Sequence, residues 1–132
     1  MNHVKQKLTL SGIIKKYHLL IVVLFGSQAQ GNTHKKSDID IAFLSEKAIT
    51  PLQEAKLCMD LQTIYSTAPV EVTNLVGVTP LLAYEISQGK VLYQDFPTRF
   101  DYFQMQAFKR MVETKRLRQL QYQEVKRYIR TV

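Results

Sequence analysis

The chain alternates short apolar runs with longer stretches of helical period. Ile21 to Phe25 are consecutive apolar residues, rich in β-branching and closed by Gly26, which predicts a buried strand. A second strand is predicted from Ser37 to Leu44, where Asp38-Ile39-Asp40-Ile41 alternates polar and apolar. Val70 to Leu75 is the third, with Val70, Val72 and Asn74 on one face and Glu71, Thr73 and Leu75 on the other. Val91-Leu92-Tyr93 is a short extended piece. Helices fill the intervals. Val4, Leu8, Ile13, Ile14 and Tyr17 stripe a helix over 4–17, where Gly12 costs about 1 kcal/mol and leaves a break at Ser11-Gly12 open. Thr50-Pro51 caps a helix reaching about Ser66, and Thr79-Pro80 starts another reaching about Gln88 before Gly89. After Pro97-Thr98, a long helix or helix pair spans Arg99 to Arg130, striped by Phe100, Phe103, Ala107 and Met111 and less regularly by Leu117, Leu120, Val125, Tyr128 and Ile129. The expected class is α/β (α+β).

Length and composition narrow the picture. At 132 residues the chain suits a single domain, 1–132, with its core over about 1–95 and a helical extension over about 98–130. No apolar run approaches the roughly 20 residues of a membrane span. Met1 to Leu8 lacks a signal-peptide core, so a cytoplasmic location is expected. The lone Cys58 excludes an internal disulfide and is expected to be a buried structural thiol. His3, His18 and His34 lack the spacing of a zinc site. The net charge of +7 is concentrated after Pro97, where nine Lys or Arg face three acids. That tail fits nucleic-acid binding, docking on an acidic protein, or a solvated helix face.

The chemistry gathers between Val22 and Leu44. Asp38 and Asp40 project from the same strand face and repel each other. A divalent cation removes that conflict, and carboxylate oxygens suit Mg²⁺, which commonly binds one or two carboxylates plus substrate phosphates. On the preceding strand, the Gly26-Ser27 turn offers backbone N–H groups and a hydroxyl to phosphates. Lys35 and Lys36 stand nearby in sequence and are candidates to steer a triphosphate. A phosphate cradle and a metal site on consecutive strands point to phosphoryl or nucleotidyl transfer.

Gly26-Ser27, ten residues, then Asp38-Ile39-Asp40 resembles the signature of the polymerase β-type nucleotidyltransferase superfamily. FGSQAQG and SDIDIAFL are similar to the phosphate turn and acidic strand of its minimal nucleotidyltransferase (MNT) proteins. Pro69 to Leu75 resembles the strand with that family's third acid, and Glu85-Ile86 through Gly89 to Tyr93 its EI…GxxLY ending. The resemblance covers about residues 1–95. It implies a small nucleotidyltransferase fold: a mixed β-sheet with helices packed against it. It assigns Asp38, Asp40 and Glu71 as catalytic, Mg²⁺-binding acids, with Gly26 and Ser27 gripping the β- and γ-phosphates of ATP. MNT proteins of this size resemble MntA-type antitoxins of HEPN/MNT toxin–antitoxin systems. The implied reaction is transfer of AMP from ATP to a tyrosine of a cognate HEPN ribonuclease toxin, in a hetero-oligomer with that toxin.

Two departures stand out. Glu71 replaces the usual Asp, which moves the carboxylate by about 1.5 Å, one C–C bond. Gln30 replaces the Arg or Lys of many relatives. They keep two alternatives open: an antitoxin that works by binding alone, and a free-standing nucleotidyltransferase for a small hydroxyl acceptor. Direct nucleic-acid binding is compatible with the basic tail but not favoured.

Overall fold

The computed structural model describes residues 8–26 and 38–131. Strands and helices follow in the order α1 (Leu10–Tyr17), β1 (Leu19–Phe25), β2 (Ile39–Ser45), α2 (Pro51–Ile64), β3 (Val70–Asn74), α3 (Pro80–Ser87), β4 (Lys90–Gln94) and α4 (Arg99–Thr131). The four strands form one mixed sheet in the order β3-β2-β1-β4. β1 is antiparallel to both β2 and β4, while β3 runs parallel to β2.

Capping decides where the helices begin. α1 starts at Leu10, later than the apolar stripe implies, because Thr9 is extended and its hydroxyl accepts the Gly12 N–H at 3.1 Å. Gly12 thus lies in the first turn and breaks nothing. Val4, Lys5 and Lys7 lie outside the described residues. His18 then takes the left-handed conformation (φ 53°) and its N–H reaches the Ile14 and Lys15 carbonyls, turning the chain into β1. α2 opens on a full capping box: the Gln53 N–H meets the Thr50 hydroxyl at 3.2 Å, and the Thr50 N–H meets Gln53 Oε1 at 2.9 Å. Thr79 caps α3 in the same way, through the Leu82 N–H at 3.3 Å.

The alternation within the strands splits the core in two. Ile39, Ile41, Phe43 and Val70 join Leu19 and Val22 beneath α1 and α2, sealed by Ile13, Leu57 and Leu61. The opposite sheet face carries Ile21, Val23, Phe25, Ala42 and Leu75, covered by Ala83 and Ile86 of α3 and by Phe100 and Ala107 of α4. Each fully buried leucine or isoleucine contributes about 1.5–3 kcal/mol. Across the first face, Tyr17 and Lys16 of α1 both donate to Asp60 Oδ2 of α2, at 2.5 and 2.9 Å. Cys58 is half-buried rather than buried; its thiol donates to the Val70 carbonyl at 3.1 Å, a structural role.

Gln62 fixes the start of β3. Its Oε1 accepts the Val70 N–H at 2.8 Å, and its Nε2 donates to the Tyr65 and Ala68 carbonyls at 2.8 and 2.9 Å. The residue before Glu71 is thereby anchored to the end of α2.

α4 is one uninterrupted helix, not a pair, and contains neither Gly nor Pro. Among the described residues, no helix is long and apolar enough to cross a membrane.

Candidate active site

Pleat and register bring Asp40 and Glu71 side by side at one end of the sheet, with Asp38 close by. Ile39 and Ile41 point into the α1/α2 side of the core, so Asp40 projects to the opposite face. Asp38 stands just before β2, two residues from Asp40 and on the same side by the same alternation. In the ladder Asp40 is flanked by Phe25 of β1 and by Glu71 of β3. Parallel pairing in register places Glu71 beside Asp40 and turns both to one face.

Gly26 closes β1 with φ 78°, a conformation that L side chains rarely adopt. A β-carbon there would lie 2.6 Å from Asp40 Oδ2. The turn and the aspartate therefore touch, and only glycine allows it. Ser27 lies outside the described residues, as do Gln30, Lys35 and Lys36.

The electrostatics single out Asp40. Burial holds its carboxyl above the usual value of 3.8, and the negative charges of Glu71, Asp38 and Glu85 push it further in the same direction. A side-chain hydrogen bond with Glu71 adds to the shift. Crowded carboxylates reach a compromise by sharing a proton or by sharing a cation. Among the described residues, no group of three or more His, Cys, Asp or Glu side chains is drawn together closely enough to hold a metal ion. The donors are carboxylate oxygens with an excess of negative charge, the chemistry that hard divalent cations favour.

A family model described as "Polymerase beta, Nucleotidyltransferase" matches residues 9–97, a span that holds the Gly26 turn and all of these acids. The chain belongs to the polymerase beta nucleotidyltransferase family. Within it, the chain is 26% identical over 134 residues to the protein adenylyltransferase MntA of Aphanizomenon flos-aquae (strain 2012/KM1/D3), covering 94% of this chain and 89% of that protein. Its fold matches a chain from a crystal structure of a toxin–antitoxin with AMP-PNP, with a TM-score of 0.77 and 23% identity over 91% of this chain and 98% of that one. It also matches a chain from a structure of the tri-AMPylated Shewanella oneidensis HEPN toxin in complex with MNT antitoxin. There the TM-score is 0.71 and the identity 20%, covering 88% and 92% of the two chains.

One contributor to this candidate site escaped the sequence reading. Glu85 was recognised as part of the EI…GxxLY ending but given no role. α3 carries it over the sheet, close enough that its negative charge helps raise the pKa of Asp40. The available signal was a single acid in the otherwise apolar PLLAYEIS helix. Gly89, from the same ending, lets α3 dock: a β-carbon there would stand 2.5 Å from the Leu24 carbonyl oxygen and 2.9 Å from Val23 Cγ1.

Proposed function

We propose that this nucleotidyltransferase is an antitoxin that transfers AMP from ATP to a tyrosine hydroxyl of a cognate HEPN ribonuclease toxin and thereby silences it. The observation that carries the reading is the close approach of the Gly26 turn to Asp40, which sets the proposed phosphate turn against the acidic strand. The name of the MntA relative and the AMPylated toxin in a structure of like fold support the choice of reaction and acceptor.

In this reading the Gly26-Ser27 turn takes the β- and γ-phosphates through backbone N–H groups. The tyrosine oxygen attacks the α-phosphorus, a new P–O bond forms, and the bond to the β-phosphate oxygen breaks to release pyrophosphate. The tyrosine proton passes to a carboxylate of the cluster, with Glu71 the candidate acceptor because it is exposed beside Asp40. Asp38, Asp40 and Glu71 would hold Mg²⁺, which supplies charge neutralisation for the triphosphate and acidifies the hydroxyl. Most of the acceleration comes from holding acceptor and triphosphate in line.

The test is to incubate the purified chain with labelled ATP, Mg²⁺ and the toxin. Label should pass to the toxin and be lost with Asp38→Ala plus Asp40→Ala. Equal labelling by that double variant rejects the reading. A second reading, neutralisation by binding alone, is favoured by Glu71 standing where the family's usual third acid is Asp. Under it, the double variant protects cells from the toxin as well as the unaltered chain does.

A further inference from the structure

The last turn of α3 is tied off with help from another element. A helix ends on four carbonyls that find no partner within its own ladder. In α3 these belong to Tyr84, Glu85, Ile86 and Ser87. Local groups take three of them. The Ser87 hydroxyl donates to the Tyr84 carbonyl at 2.5 Å. The Gln88 N–H reaches the Glu85 carbonyl at 3.1 Å, and the Gly89 N–H reaches that of Ile86 at 2.9 Å. The Ser87 carbonyl is filled from α4, where Gln104 Nε2 donates to it at 2.9 Å.

That turn leads to the site. Gly89 lies so close to β1 that a β-carbon would stand 2.5 Å from the Leu24 carbonyl oxygen. The next residue, Lys90, pairs with Leu24 in the ladder. Leu24 is two residues before Gly26, the turn that Asp40 Oδ2 crowds. α4 also holds the other end of α3. Arg110 Nη2 donates to the Val78 carbonyl at 3.1 Å, just ahead of the Thr79 cap. The Gln104 tie thus continues into β1, whereas the Arg110 tie ends in the loop between β3 and α3.

We propose that Gln104 is a positioning residue for the nucleotide: by fixing the last turn of α3 against Leu24, it holds the Gly26 turn in place beside Asp40. It acts through the backbone and not by touching ATP. The inference rests on the reading of the Gly26 turn as the phosphate cradle. Ser87 is only 3% exposed. A carbonyl that loses its donor there is poorly supplied by water, so the turn must shift to find a replacement. Gln104 itself is exposed, and its side chain can be exchanged without opening the core.

The experiment compares the full chain with Gln104→Met and, separately, Arg110→Met. Methionine keeps an unbranched side chain but cannot donate a hydrogen bond. Affinity for AMP-PNP with Mg²⁺ is measured by calorimetry, at a temperature where circular dichroism shows every variant folded, and each Tm is recorded. Gln104→Met should bind AMP-PNP at least fivefold more weakly. Arg110→Met should bind it within twofold of the unaltered chain, even where its Tm falls as far or farther. A merely structural bond would lower Tm and leave affinity alone. Unchanged affinity in Gln104→Met therefore overturns the positioning role while the phosphate-turn reading stands. Equal weakening in both variants assigns the effect to looser packing of α4 and overturns it too. If the unaltered chain takes up no AMP-PNP, the phosphate-turn reading falls and the proposal with it.

Discussion

Oxygen Oδ2 of Asp40 occupies the space that a side chain on Gly26 would fill, 2.6 Å from where its β-carbon would stand. Gly26→Ala must therefore move the turn, the carboxylate or both, on top of the strain of φ 78°. Strain of this kind costs about 1–3 kcal/mol. Displacement of reacting groups on the order of 1 Å costs about a hundredfold in rate. AMP transfer should drop at least that far, with a folded protein of lower Tm.

The raised pKa of Asp40 fixes the sign of a pH effect. Unfolded, the carboxyl loses its proton near 3.8; folded, burial and the charges of Glu71, Asp38 and Glu85 keep the proton on to higher pH. Between those two values the folded state binds more protons, so stability falls as pH rises through the window. Asp40→Asn removes that loss. Its Tm should gain on the unaltered chain above the window, and the gain should shrink as pH falls toward 3.8. A Tm difference that grows toward acid would contradict the assignment.

If the clustered acids take a divalent ion, that ion stabilises the folded chain by mass action. Millimolar Mg²⁺ should raise the Tm of the unaltered protein and not that of Asp38→Asn plus Asp40→Asn. Thermal melts with and without chelator decide this, with no toxin or ATP present.

Gln62 should matter more to the site than its place on α2 implies. Gln62→Leu removes three hydrogen bonds and leaves the Val70 N–H and Ala68 carbonyl to find other partners. At about 1 kcal/mol for each bond, the loss is about 2–3 kcal/mol by chemical denaturation. Glu71 follows Val70 directly, so AMP transfer should fall more than stability alone accounts for.

Much of this architecture was legible in the chain. Asp38-Ile39-Asp40-Ile41 announces its two faces by alternation alone, and Thr50-Pro51 and Thr79-Pro80 mark helix starts that the structure keeps. α1 was drawn too long because an apolar stripe says nothing about which hydroxyl caps it, and Thr9 does. β1 begins at Leu19 rather than Ile21, since His18 completes the turn out of α1 in a conformation that few residues adopt. The Gly26–Asp40 contact joins residues on different strands, and Glu85 reaches the site only because α3 crosses the sheet. Both are products of tertiary packing that local pattern does not encode. The single span of α4 was foreshadowed by its lack of Gly and Pro.

β3 is five residues long and, among the described residues, lies at the margin of the sheet, bonded to a neighbour along one side only. Margins fray at a fraction of the free energy needed to melt the whole molecule. Glu71 can therefore be withdrawn while Asp40, on the interior strand β2, stays put. On warming, turnover should fade some degrees before the cooperative melt, as a reversible dimming rather than a collapse.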